Sequence, residues 1–258
     1  MNVMVCIKQT FDTEARIILN GAGEIDGNSV LQIMNPSDEY AVEEGIRLKE
    51  RYGGQVTVIT VGDDAAVKSL QQALAMGADH AVLVSDPRLK MLDSHGIAVV
   101  LSRVIGRMEY DIILCGRLSI DGANAEVPSR LAERLDLPQV NLVSKLQVSA
   151  EGKVDARRDI EGGVEIVETN LPAVITVQKG INEVRYPSLR LVMQAKKMPI
   201  RKLGLDDLDL TAEDVSSPIT IEGYLFPPPR RQGRTLTGSL PEIIPEVIRF
   251  LYEEQKIL

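Results

Sequence analysis

Short apolar runs alternate with amphipathic stretches over the first two-thirds of the chain. The runs at 2–7 (NVMVCI), 55–61 (QVTVITV), 79–84 (DHAVLV) and 110–115 (YDIILC) are rich in β-branched residues and apolar at nearly every position. That is the pattern of parallel strands covered on both faces. Helices are predicted between them. Residues 37–52 follow Pro36, with Ser37 or Asp38 available as N-cap and Val42, Ile46 and Lys49 at helical spacing; Gly53 and Gly54 stop the run. Further helices are predicted over 65–76, ending at Gly77, over 95–108, and from about 124 to 135 after Asp121-Gly122. Strand and helix in alternation imply a doubly wound α/β sheet with right-handed crossovers.

The pattern changes after Pro138. Residues 140–148, 153–159, 163–169 and 172–177 read as strands joined by tight turns, such as Glu151-Gly152 and Gly162-Gly163, with no helix between them. Such hairpins predict an antiparallel extension of the sheet. A short helix is expected over 189–197. Beyond Pro199 the chain is rich in Pro, Asp and Arg up to about 239, including Pro227-Pro228-Pro229-Arg230-Arg231, and a terminal helix is expected over about 241–255. The expected architecture is an α/β domain over 1–200, mostly parallel with a hairpin extension, and an extended C-terminal arm over 201–258. An arm of that length buries little surface by itself, so it is expected to pack on a partner.

Composition narrows the function classes. The 258 residues are 44% hydrophobic and 26% charged, which excludes wholesale disorder and low complexity. Six Tyr, three Phe and no Trp leave an aliphatic core and little material for the stacking platforms of single-stranded nucleic-acid binders. A formal charge of −8 gains nothing from counterion release, so nucleic acid is not an expected partner. Cys6 and Cys115 each end an apolar run, the usual setting of a buried, reduced cysteine. No zinc-ligand spacing, membrane-spanning apolar stretch or secretory start occurs, which makes a reducing cytoplasm the expected location. No hydrolase, P-loop or metalloprotease motif is present, so any redox or group-transfer chemistry has to come from a cofactor.

Four segments are candidates for that chemistry. In 110–128 an apolar strand enters a loop with Gly116 and Gly122, which then opens a helix. Ligands of open α/β sheets sit beyond the strand C-termini, and a helix N-terminus offers free N–H groups to a phosphate. Arg117 adds a charge-assisted contact there, whereas Asp121 suits capping or a ribose hydroxyl. The plainer reading is a tight strand-to-helix turn. Met34-Asn35-Pro36-Ser37 and Thr60-Val61-Gly62 lie on the same predicted edge; plain helix capping is the stronger reading of the first, and at the second close backbone packing explains the glycine as well as a ligand does. Residues 182–189 form either a solvated loop or a protruding anchor in which Leu189 stands among charged neighbours.

The stretch Ala156 to Thr176, ARRDIEGGVEIVETNLPAVIT, resembles the signature of the electron transfer flavoprotein β subunit. Arg158 precedes the acidic-Gly-Gly turn of Glu161, Gly162 and Gly163; Glu165 and Val167 follow, then Pro172, an apolar pair and Thr176. VCIKQ, MNPSDEYAVEEGIRLKE, ALAMGAD, GRLSIDG, NEVRYPSLRLVMQAKK and PPPRR-QG extend the resemblance over nearly the whole chain, in the family's order.

The resemblance implies a subunit that pairs with an α subunit holding the redox-active FAD. The β subunit itself binds AMP in a structural role or, in the electron-bifurcating branch, a second FAD reduced by NADH. The family's nucleotide contacts fall on Cys6, Asn35, Val61, Gly116, Arg117, Leu118, Ser119, Ile120, Asp121, Gly122, Ala123, Asn124, Ala125, Glu126 and Val127. Asp121-Gly122, Ala125 and Val127 match the FAD type, while Ala123, Asn124 and Glu126 depart from it, Glu126 standing where that type has an amide. Partner recognition falls on 182–197, with Arg185, Tyr186, Pro187, Leu189 and Met193 as the contact residues. The partners implied are an acyl-CoA or other flavin-dependent dehydrogenase and a quinone oxidoreductase or similar acceptor. No catalytic residue, metal or membrane insertion is expected of this chain. The rival expectation is a stand-alone ATP-binding enzyme or stress-protein-like domain, which requires a triphosphate loop that the sequence lacks.

Overall fold

In the computed structural model, residues 1–26, 30–89, 92–149, 151–219, 221–229, 233, 235–254 and 256 are described. They divide into two units, Met1–Gly223 and Tyr224–Leu258. The first unit is built on strands β1 (Asn2–Cys6), β4 (Gln55–Val61), β5 (His80–Val84), β6 (Ile112–Gly116), β7 (Gln139–Val148), β8 (Lys153–Ile160), β9 (Gly163–Asn170), β10 (Ala173–Val177) and β11 (Arg201–Leu203). A separate antiparallel ribbon joins β2 (Gln9–Phe11) to β3 (Gln32–Met34). The large sheet runs β11-β5-β4-β1-β6-β10-β7-β8-β9 and is parallel from β11 to β7 and antiparallel from β7 to β9. This is the expected doubly wound, mostly parallel sheet with a hairpin extension.

Alternation along the central strands builds two apolar layers. Val3, Val5, Val56 and Val58 pack under α1 (Pro36–Tyr52) and α2 (Val67–Met76), against Val42, Ile46, Leu70 and Leu74. Met4, Ile59 and Ile113 face the other way, toward α3 (Ser94–Ile105) and α4 (Val127–Leu135), against Val100, Val104 and Leu131. Both layers are aliphatic, as the shortage of aromatics requires.

The structure departs from the sequence pattern at several points. The strand at 173–177 does not extend the hairpins; it lies between β6 and β7, parallel to both. All five of its residues are buried, whereas the hairpin strands β8 and β9 carry exposed positions. Continuous burial is the mark of a central strand. To admit it, β7 changes partner at Val143: its first half pairs with β10 and its second with β8, and Leu142 at the change has φ 62°. The ribbon β2–β3 has no strong apolar alternation of its own. The helix expected from about 124 starts only at Val127, leaving a longer loop before it.

Residues 201–215 add the short edge strand β11 and bury Leu205, Leu208, Leu210 and Val215 in the layer below α3. In the second unit, α6 (Leu240–Arg249) starts with a capping box between Ser239 and Glu242 and presents Leu240, Ile244 and Ile248 to the outside at helical spacing. None of the described residues from 224 onward is buried. Arg230, Arg231 and Gln232 of the expected arm lie outside the described residues. No described helix is long and apolar enough to cross a membrane.

Leu205 is fully buried. Leu205→Ala is therefore expected to cost about 2–5 kcal/mol, read as a lowered urea midpoint with an unchanged slope. A loss below about 0.5 kcal/mol, the range of surface substitutions, would separate 201–215 from the core.

Candidate functional site

Parallel pairing brings the ends of β1, β4 and β6 to one edge of the sheet: Cys6 lies beside Cys115 and Ile59, with Val61 and Gly116 at the strand ends. The β2–β3 ribbon returns the chain to the same edge, where the Asn35 backbone N–H donates to the Lys8 carbonyl at 2.8 Å. The helix α1 then begins with Asn35 as N-cap and Pro36 in its first turn, not with Ser37 or Asp38 as cap.

The Asn35 side chain is buried and fully engaged. Its Nδ2 donates to the Leu118 carbonyl at 2.9 Å and to Asp38 Oδ1 at 3.0 Å, and its Oδ1 accepts from the Ile120 N–H at 3.2 Å. Asn35 therefore shapes the loop after β6. Asp38 ties the same segments together from behind. Its Oδ2 accepts from the Lys8 N–H at 2.7 Å, and the Gly116 N–H also donates to its carboxyl. Burial pushes the Asp38 carboxyl up to about 7, against the opposing pull of these hydrogen bonds and of the Lys8 charge. The contact is so close that a Cβ on Gly116 would lie 2.2 Å from Asp38 Oδ1 and 2.7 Å from the Ser37 backbone carbon. Only glycine fits there.

In front of this backing the loop is exposed. The Lys8 ammonium pairs with Asp121 at 2.7 Å. Partial burial pushes the Asp121 carboxyl up, but hydrogen bonds from Lys8 and Ser119 outweigh it and hold it below its ordinary value. Residues 121–126 are solvent-exposed, and Ala123 and Ala125 have φ of 52° and 55°. Left-handed backbone at non-glycine residues costs about 1–3 kcal/mol and collects at functional sites. Glu126 follows with φ −92° and ψ −34°, so left- and right-handed residues adjoin, an arrangement that turns successive N–H groups toward one concave side.

The helix α4 has no side-chain cap. Pro128 in its first turn has no N–H, so the Val127 and Ser129 N–H groups are the ones left without a side-chain cap, and Arg117 in the loop after β6 is exposed and without an ion pair among the described residues. This donor set fits a phosphate-bearing ligand. Nothing in it is arranged for acid–base or nucleophilic work. The Cys115 thiol is raised well above its usual value by its hydrogen bond to Cys6 and by burial, and so remains protonated and unreactive.

Every residue proposed from sequence for the nucleotide lies on this edge or in this loop. The backing residues Lys8 and Asp38 escaped sequence reasoning in that role. Their only signal was a lysine closing an apolar run and an acid in the first turn of a helix.

The second candidate segment crosses α1. Asn182 Nδ2 donates to the Tyr40 carbonyl at 3.0 Å and to Glu44 at 2.9 Å. Arg185 grips Glu43 at 2.7 and 3.1 Å and Glu50 at 2.6 and 3.0 Å. Burial raises the Glu43 carboxyl, but hydrogen bonds from Arg185 and Arg47 more than reverse it. Arg185 thus points inward and fastens the segment. The outward groups are Tyr186 at 95% exposure, Leu189 at 78% and Met193 at 52%, with Pro187 half-buried between them. Ser188 caps α5 (Leu189–Ala195), which holds Leu189 at the start of a helical turn.

Residues 24–208 match the family model described as electron transfer flavoprotein domain. The chain is 44% identical to electron transfer flavoprotein subunit beta of Bacillus subtilis (strain 168), over the full length of both. It is 34% identical to subunit CarD of the caffeyl-CoA reductase-Etf complex of Acetobacterium woodii, over 93% of each chain. It is 33% identical to protein FixA of Azotobacter vinelandii, over 93% of this chain and 89% of that one.

Gly116→Ala is expected to cost about 1–3 kcal/mol, because backbone rather than a flexible side chain must move; an unchanged unfolding midpoint would refute the close contact. Asp38 also leaves a pH signature. Its folded-state pKa is raised, so the folded protein binds the extra proton between about 4 and 7, and this stabilising contribution is lost as pH rises through about 7. Asp38→Asn should remove that slope from the stability profile between pH 4 and 7. Parallel profiles for the two proteins would show that Asp38 does not titrate there.

Proposed function

This chain belongs to the electron transfer flavoprotein family, and we propose that it is the β subunit of a heterodimeric electron carrier, holding an adenine nucleotide at the loop 116–127. The observation that carries the nucleotide reading is the uncapped N-terminus of α4, preceded by the exposed loop 121–126 at the end of β6. A phosphate is the ligand such a donor set selects. The adenosine end then lies toward Cys6, Asn35 and Val61 on the same edge. The nucleotide is AMP or a second FAD, and in the FAD case the electron donor is NADH.

The principal flavin belongs on an α subunit, since this chain has no Trp and few other aromatics with which to clamp an isoalloxazine ring. That bound flavin supplies the electron transfer; this chain's residues bind, orient and dock. The apolar stripe of Leu240, Ile244 and Ile248 on α6 suits an arm that covers itself against the α subunit. Tyr186, Pro187, Leu189 and Met193 form the docking face for an acyl-CoA or other flavin-dependent dehydrogenase, with Arg185 holding that face in place. A quinone oxidoreductase or similar protein takes the electrons onward. The cytoplasm is the proposed compartment.

Co-expression with the α subunit, followed by acid release and chromatography, tests the assignment. One FAD with one AMP per heterodimer identifies the simple carrier, and two FAD the bifurcating type. ATP held by an unpartnered chain would instead support a stand-alone nucleotide-binding protein. Leu189→Ala removes the most exposed aliphatic anchor of the loop. It should raise the concentration needed for half-maximal reduction by the dehydrogenase about tenfold or more, with bound flavin unchanged. Kinetics equal to the wild type would remove Leu189 from the docking face.

A further inference from the structure

Residues 178–188, between β10 and α5, form neither helix nor strand, yet they lead into the docking face. A segment of this kind presents an apolar group productively only if its backbone is fixed, because a free chain has to be ordered again on binding. The fixing groups lie on α1. Glu43 and Glu50 stand two helical turns apart on one face of that helix, and both bind the Arg185 guanidinium. Its Nε, Nη1 and Nη2 are all engaged by these two carboxylates, at 2.6 to 3.1 Å. The Arg185 backbone N–H donates to Glu43 Oε2 at 3.3 Å, and Arg47 Nη2 donates to the Glu183 carbonyl at 3.1 Å. The buried Asn182 ties the start of the segment to Tyr40 and Glu44.

Glu43 is the costly member of this set. Its side chain is 2% exposed, and a well-packed apolar residue would serve stability as well as a buried ion pair does. Arg47, one turn on, already pairs with it at 2.8 Å. What Arg185 adds is geometry. A planar fork meets carboxylates in a defined orientation, so it fixes the backbone at 185 as well as a charge. Pro187, with its restricted φ, and the Ser188 cap carry that fixed point to Leu189.

We propose that Glu43 and Glu50 are positioning residues for partner docking: through Arg185 they hold the 182–188 segment so that Leu189 meets the dehydrogenase already in its binding geometry. This inference rests on the docking reading given above. It moves Arg185 from the contact surface to the support beneath it, and it assigns a docking role to two acids of α1 that act without touching the partner. Part-exposed ion pairs contribute little to stability, so the effect falls on docking more than on folding.

The test measures reduction of the α–β heterodimer by an acyl-CoA dehydrogenase that reduces the wild type, over a range of heterodimer concentrations. Arg185→Ala should raise the half-saturating concentration about fivefold and leave the limiting rate within about twofold. Glu43 keeps Arg47 in that variant, so no unpaired buried carboxylate is left to unfold it. Arg185→Lys should recover part of the loss, since an ammonium keeps the charge without the fork. Glu43→Gln/Glu50→Gln, which keeps the shape of both side chains, should raise the half-saturating concentration about threefold. Adding Arg185→Ala to it should bring the loss to about fivefold and no further. In a Leu189→Ala background, Arg185→Ala should cost less than about twofold, because its effect runs through Leu189. A fivefold loss that persists in that background, or wild-type half-saturation in Glu43→Gln/Glu50→Gln, overturns the inference and leaves the docking face intact. Wild-type kinetics in Arg185→Ala overturn it as well. If Leu189→Ala itself changes nothing, the docking reading fails, and the inference with it.

Discussion

The contact between the end of β6 and the first turn of α1 governs the candidate site. With only a hydrogen at Gly116, the strand backbone meets Asp38 and Ser37 at a distance no side chain tolerates. Asp38 then accepts from both Lys8 and Gly116, and Asn35 reaches across to Leu118 and Ile120. Three segments far apart in sequence are thereby held by part-buried hydrogen bonds, which partial exclusion from water strengthens. The exposed loop beyond them has a rigid base, which is what allows Ala123 and Ala125 to persist in left-handed backbone.

Charge is used differently on the two candidate surfaces. At the loop, carboxylates meet neighbouring cations, Lys8 with Asp121 and Arg130 with Glu126, so the chain's net negative charge is not focused where a phosphate would sit. Across α1, Glu43 and Glu50 absorb Arg185, and the outward surface is left to Tyr186, Leu189 and Met193. The arginine fixes the geometry while the apolar groups remain available. Burying its partner Glu43 requires this pairing, because an unpaired carboxylate there would carry the full cost of desolvation.

Much of the core was legible because its physical signal is local. Continuous β-branched runs marked β1, β4, β5 and β6, and glycine stops at Gly53 and Gly77 ended α1 and α2 close to where the structure ends them. The placement of β10 was not legible as a neighbour of β6, since adjacency in sequence to two hairpin strands suggested a third. Its unbroken apolar run, AVITV, carried the correct information on burial. The ribbon β2–β3 and the edge strand β11 are too short to show periodicity, and pairing with distant strands creates them. In the site, the motif residues of 116–127 could be read directly, but Asp38 and Lys8 look like an ordinary helix-turn acid and a surface lysine until the fold brings them together.

By itself, the sequence determined the layer architecture, the aliphatic character of the core, the glycine-bearing loop after β6 and the family signature, all of which are carried by composition, local periodicity or the order of residues along the chain. Tertiary structure alone decided which strand neighbours which and which charges are spent on internal pairs. It also decided which side of the 182–197 segment is free. Those outcomes depend on contacts between positions more than a hundred residues apart, such as Lys8 with Asp121 and Arg185 with Glu43. No local pattern encodes such a pairing, because its energy exists only once the backbone has closed around it.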